Sequence, residues 1–198
     1  PVILSTGMND IRSITPSEKL FRKYKIPFVL LHCTNIYPTD HKLVRLQAIT
    51  QMQKAFPDAI VGLSDHTVGI YTCLGSVSLG AKVIEKHFTD DKKNKGPDIS
   101  CSMDPDELRE LTVGSKIIYE ALGGKKQPLK EEKKTIKFAF ASVAATKNIN
   151  KNDILNSDNI FPIRPGNGYF KIKDYKKLIG KRAKTNILKG HQLKKNDL

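Results

Sequence analysis

Ile60-Val61-Gly62-Leu63-Ser64-Asp65-His66-Thr67, followed by Val83-Ile84-Glu85-Lys86-His87-Phe88-Thr89, decides how this chain reads. Each stretch is a short apolar run that ends abruptly in polar, chemically capable residues. A Gly-rich, small-residue segment between them has the length of one helix. Parallel strands covered on both faces read as unbroken apolar runs of this kind. In parallel α/β barrels the reactive groups sit where strands give way to βα loops. The pattern therefore predicts two consecutive barrel strands, with His66 and His87 pointing into one pocket.

The same transition recurs outward from this pair. Val2-Ile3-Leu4 runs into Ser5-Thr6-Gly7, and Phe28-Val29-Leu30-Leu31 runs into His32-Cys33-Thr34-Asn35-Ile36-Tyr37. Helices are predicted between the strands. Thr15 is the expected N-cap of the first, with Pro16 at its first position and Glu18 completing a capping box. Leu43, Leu46, Ile49, Met52 and Phe56 fall at helical spacing up to Pro57, and Val68 to Leu79 gives a third helix closed by Gly80. Asp104-Pro105-Asp106-Glu107 opens a last helix that ends at Leu122-Gly123-Gly124. Consecutive βα units make a barrel or an open doubly wound sheet. Reactive residues at all four strand ends favour the barrel. Four units are half of eight, and Pro1-Val2-Ile3-Leu4 begins in mid-strand without an initiator Met, so a segment of a longer protein is expected.

Beyond a charged, turn-rich stretch at 124–134 the pattern changes. Phe138 to Ala145 is strand-like, as are Lys147 to Leu155, Ile160 to Ile163 and Leu188 to Leu193, which predicts a small, mostly β domain. Residues 125–198 carry 19 Lys and Arg against 6 Asp and Glu. Such asymmetry can mark a nucleic-acid or anionic-polymer surface. The lysines stand in turn-like company without an aromatic stripe, which favours a solvated face. Cys33, Cys73 and Cys101 have no Cys-x-x-Cys spacing and read as buried thiols. No run approaches the length of a membrane span and the N-terminus has no signal-peptide pattern, so a soluble cytoplasmic protein is expected.

A histidine at a strand end serves either as a hydrogen-bonded structural residue or as a metal ligand. Two on adjacent strands, flanked by Asp65 and Glu85, form a candidate site for a divalent cation. Asn35 and Tyr37 offer hydrogen-bonding groups suited to a polyhydroxylated or amide-bearing ligand. Gly96-Pro97-Asp98 places a carboxylate on a loop, either over the pocket or as an ordinary turn. Arg164-Pro165-Gly166-Asn167-Gly168 fixes an arginine on a stiff turn, where its planar fork can give directed hydrogen bonds.

Leu31-His32-Cys33-Thr34-Asn35-Ile36-Tyr37-Pro38-Thr39, Gly62-Leu63-Ser64-Asp65-His66-Thr67, Ile84-Glu85-Lys86-His87-Phe88, Gly96-Pro97-Asp98 and Arg164-Pro165-Gly166-Asn167-Gly168 together resemble the bacterial N-acetylneuraminate (sialic acid) synthase family. The resemblance implies an α/β fold: the second half of a (β/α)8 TIM barrel at 1–122, a linker at 123–135 and an antifreeze-like (SAF) domain at 136–198. The absent first half would hold an acid/base carboxylate and phosphate-binding lysines, so this segment alone is expected to be inactive. The implied reaction condenses phosphoenolpyruvate with N-acetylmannosamine to N-acetylneuraminate and phosphate. Mn2+ or another divalent cation on His66 and His87 would polarise the sugar aldehyde. Ser5 and Ser64 match phosphate-contacting positions, and Asn35, Tyr37 and Asp98 match sugar-side positions, with His66, His87 and Asp98 as the catalytic set. Arg164 matches an arginine that reaches the N-acetyl group across a domain-swapped homodimer, and Thr135 and Phe138 match its entrance. Phe140-Ala141 departs from the Arg-Arg of many relatives, so that strand says nothing about the substrate. Legionaminate or pseudaminate synthesis is the alternative within the family; a basic binding module is the alternative from another class. Neither nucleic acid nor membrane is an expected partner.

Overall fold

The computed structural model describes residues 1–198, which form two compact units, Pro1–Gly124 and Lys125–Leu198. In the first, strands β1 (Val2–Ser5), β2 (Phe28–Cys33), β3 (Ile60–Asp65) and β4 (Ile84–Lys86) pair in parallel in the order β1-β2-β3-β4. The order follows the chain with no reversal. A doubly wound sheet needs a switch point where the strand order reverses, so this is the progression of a barrel wall, half of a (β/α)8 barrel.

Register assigns the two faces. Leu4 lies beside Leu30, Leu30 beside Val61 and Leu63 beside Ile84, and all of these belong to one core with Ile49, Met52, Phe56 and Leu111 from the helices. Side chains alternate along a strand. The opposite face therefore carries Ser5 beside Leu31, Leu31 beside Gly62, Cys33 beside Ser64, and Ser64 beside Glu85. Gly62 is required there: a Cβ would stand 2.2 Å from the Val83 carbonyl oxygen and 2.6 Å from Leu31 Cδ2.

The helices differ in detail from the sequence reading. Helix α1 (Ile11–Lys23) starts ahead of Thr15, because Asp10 and Ser13 form a reciprocal capping box and Pro16 is carried inside the helix. The expected single helix through Leu43 is two, α2 (His41–Val44) and α3 (Gln47–Ala55), broken by Arg45 at φ 55°. The break has a local cause. Thr34 Oγ1 and Arg45 Nε donate to the Leu43 carbonyl and the His32 ring takes the Val44 carbonyl, so these oxygens are used outside a helix and Leu43 is left exposed. Helix α4 spans Tyr71–Ser78 and begins after the expected Val68. Helix α5 (Pro105–Ala121) has the expected Asp104–Glu107 capping box, but Leu111 is its one buried residue and Ile117 faces solvent. A further strand position went unread: Met103 bridges Phe88 in parallel, its N–H donating to the His87 carbonyl at 2.9 Å.

In the second unit, helix α6 (Lys133–Ala139) replaces the start of the expected first strand, and β5 (Ser142–Ala145) pairs antiparallel with β6 (Ile160–Ile163). The other expected strands are isolated bridges, Ala144 to Gln192, Ile149 to Ile187 and Ile154 to Arg182, around a core of Val143, Ile149, Leu155, Ile160 and Leu193. A short helix α7 (Tyr175–Leu178) closes this core from one side. No helix of the chain is long and apolar enough to cross a membrane.

Candidate active site

His66 stands immediately after β3 and is 5% exposed. Its Nδ1 lies 2.9 Å from the Thr34 carbonyl oxygen, which fixes Nδ1 as the protonated nitrogen and leaves Nε2 with its lone pair. Its own carbonyl accepts the Thr39 N–H at 2.8 Å, so the β2–α2 loop holds the residue from two sides. His87 follows β4, and the two imidazole centroids are 5.3 Å apart. Tyr37 packs against both rings, tilted over His66 at 4.0 Å and edge-on to His87 at 5.8 Å between centroids.

Around the imidazoles the polar groups converge. Asn35 is packed against Gly7 so closely that a Cβ there would stand 1.6 Å from Asn35 Oδ1. Partial burial of the phenol pushes the Tyr37 pKa up, with the Asp98 and Glu85 carboxylates adding to the shift, which keeps it a hydrogen-bond donor at neutral pH. The Asp98 main-chain carbonyl accepts from Ser102 Oγ at 2.8 Å, leaving its carboxylate free on the loop. Cys33 lies 3.1 Å from Asn35 Oδ1, and burial pushes its thiol up, so it is a neutral wall rather than a nucleophile.

The structure thus brings together His66, His87 and Tyr37, links Asn35 to His66 through Cys33 Sγ, and places Asp98 near enough for its charge to act on the Tyr37 phenol, with buried Ser64 on the same sheet face and exposed Ser5 at the end of β1. Thr135, Phe138 and Arg164 belong to the second unit. Thr135 and the largely exposed Phe138 ride on α6. Arg164 borders a cavity of about 720 Å³ with Phe140, Pro162, Lys171 and Ile172. Its turn is held stiffly. Lys171 Nζ donates to the Gly166 and Gly168 carbonyls at 2.7 Å each, and a Cβ on Gly166 would meet Phe140 at 2.9 Å.

Sequence reading takes Asp65 as a residue that orients the site but misses the buried partner it has in Lys86. Lys86 Nζ is 2.7 Å from Asp65 Oδ2 and 2.7 Å from the Thr67 carbonyl oxygen, with both charged side chains essentially buried. Thr67 Oγ1 and Thr72 Oγ1 also donate to the Asp65 carboxylate, at 2.8 and 3.0 Å. Burial alone would push the Asp65 carboxyl up; the ammonium and hydroxyls outweigh it and hold the group below its usual range. The only signal in the sequence was parity: Asp65 precedes His66 as Lys86 precedes His87.

The profile of the NeuB family matches residues 1–127. The chain belongs to the NeuB family. A SAF domain profile matches residues 140–198 of this NeuB-family chain. It is 44% identical over 170 residues to the uncharacterized protein MJ1065 of Methanocaldococcus jannaschii, covering 85% of this chain and 50% of that protein. It is 40% identical over 189 residues to the N,N'-diacetyllegionaminic acid synthase of Campylobacter jejuni, covering 93% of this chain and 56% of the relative. A crystal structure of the N-acetylneuraminic acid (sialic acid) synthetase of Leptospira borgpetersenii in complex with citrate matches with a TM-score of 0.63 at 37% identity, covering 68% of this chain and 47% of that one. The chain spans about half the length of the curated relatives it matches.

Whether the residues fit the divalent cation expected from the sequence follows from the donor set. His66 offers an unengaged Nε2, and His87 has no hydrogen bond to protein through either ring nitrogen. No third His, Cys, Asp or Glu joins them in a ligand cluster. Two neutral imidazoles fit a cation whose other positions are filled by oxygen ligands that the substrates or water bring.

Proposed function

We propose that, within the full-length protein, this chain supplies the sugar-side half of an active site that condenses phosphoenolpyruvate with an acylamino sugar, giving an acidic sugar and phosphate. The observation that carries the reading is the pair of imidazoles 5.3 Å apart at the ends of neighbouring strands, with the Tyr37 ring packed against both. A divalent cation such as Mn2+, held by His66 and His87, would supply Lewis-acid polarisation of the sugar aldehyde. Thr34 keeps His66 in the tautomer that presents Nε2. The protonated Tyr37 phenol and the Asn35 amide orient the sugar oxygens, while the Asp98 carboxylate accepts its hydroxyls. Ser5 and Ser64 give hydroxyl donors to the phosphate of phosphoenolpyruvate. Arg164 serves the acylamino end of the sugar from the partner subunit of a domain-swapped dimer.

N-acetylmannosamine is the first candidate sugar, supported by the likeness to the Leptospira synthetase. A diacetylated sugar is the second reading, supported by the 40% identity to the legionaminic acid enzyme. The test is product analysis: the full-length protein is incubated with Mn2+, phosphoenolpyruvate and each sugar, and the acid and phosphate are quantified. Equimolar phosphate and a sugar acid enlarged by the pyruvate carbons are expected, and relative kcat/KM ranks the two sugars. Folded protein that transfers no carbon to either sugar would refute the proposal.

A further inference from the structure

We infer that the buried Lys86–Asp65 pair is a positioning device that sets the spacing of His66 and His87. Asp65 and Lys86 are direct partners in the β3–β4 register. Alternation along the strands puts them on the helix-facing side of the sheet and the two histidines, one residue on, on the pocket side. The ammonium does more than pair with the carboxylate. It holds Asp65 Oδ2 and the Thr67 carbonyl, each at 2.7 Å, and so grips the chain immediately before and immediately after His66 from a lysine immediately before His87. Asp65 passes the constraint to the helix through Thr72 Oγ1 at 3.0 Å and fixes the turn through Thr67 Oγ1 at 2.8 Å.

A lysine is specifically suited to this place. One ammonium supplies several donors in different directions, so a single buried group reaches a carboxylate and a carbonyl on either side of one residue. An apolar side chain of equal length would fill the space yet leave the turn after β3 without its link to β4. Neither residue faces the pocket, so neither touches substrate; both act through the imidazoles. This inference rests on the reading of His66 and His87 as cation ligands.

The test compares Lys86→Met and the charge-neutral Asp65→Asn/Lys86→Met pair with the full-length parent, by thermal melting, Mn2+ titration and nitrogen-15 spectra of the imidazoles recorded without metal. The double variant removes the unpaired buried charge left in Lys86→Met and so regains thermal stability. It is expected to keep disturbed His66 and His87 ring signals and a Mn2+ affinity lowered about 10- to 100-fold, the usual cost of losing support behind a ligand. If ring signals and Mn2+ affinity return with stability in the double variant, the pair is only structural and the inference is overturned. Parent-like Mn2+ affinity in His66→Ala would instead sink the ligand reading. The metal-free ring signals of the double variant would still decide the positioning role.

Discussion

Replacing Gly7 by alanine should weaken sugar binding without unfolding the protein. Gly7 is buried and does not sit at positive φ, so its backbone conformation is open to alanine and only space is at stake. The new Cβ would stand 1.6 Å from Asn35 Oδ1 and 2.6 Å from Asn35 Cγ, so that side chain must swing away. Asn35 is exposed and gives up one contact, with Cys33 Sγ at 3.1 Å. The stability loss is then no more than about 1 kcal/mol. Removing one neutral hydrogen bond to a ligand costs about 0.5–1.5 kcal/mol, which is about 2- to 13-fold in sugar KM. Phosphate-release kinetics on the full-length protein, with sugar and phosphoenolpyruvate varied separately, read this directly. Asn35→Ala should reproduce the effect, and the double variant should add little to either single one, because both act on the same side chain. An unchanged sugar KM in Gly7→Ala, or fully additive singles, would refute the assignment of Asn35 to the sugar.

Asp98→Ala should raise the KM for the sugar more than that for phosphoenolpyruvate; equal effects on both would remove Asp98 from the sugar side. Burial pushes the Cys73 thiol up to about 12, with the Asp65 carboxylate adding to the shift. At pH 8 only about one Cys73 in 10⁴ is then thiolate, and since thiolate is the reactive form, native protein should resist alkylation there until it is unfolded. Rapid modification of native Cys73 would contradict that packing.

Strands β3 and β4 were legible because both faces of a parallel strand are covered, and covering leaves an uninterrupted apolar run with its polar residues at the end. The histidines were legible for the same reason, since they stand where each run stops. The break at Arg45 was not, because periodicity reports one strand or helix at a time. Thr34 and His32, which take the carbonyls at the break, come from β2 and its loop. The start of α1 was misplaced because two capping boxes compete within a few residues, and the Asp10–Ser13 box stands five residues ahead of the Thr15–Glu18 box. Met103 forms a single bridge and leaves no run to read. Lys86 was read as part of a motif rather than as a buried cation, since only the strand register reveals that it faces Asp65.

The central claim is that His66 and His87 hold the cation that the condensation uses. Its most direct test is an electron paramagnetic resonance titration of Mn2+ into the full-length protein and into its His66→Ala and His87→Ala variants, with melting curves recorded alongside. Both variants should melt like the parent and lose more Mn2+ affinity than the about 10- to 100-fold that follows loss of a supporting partner. Parent-like Mn2+ binding in both folded variants would contradict the claim.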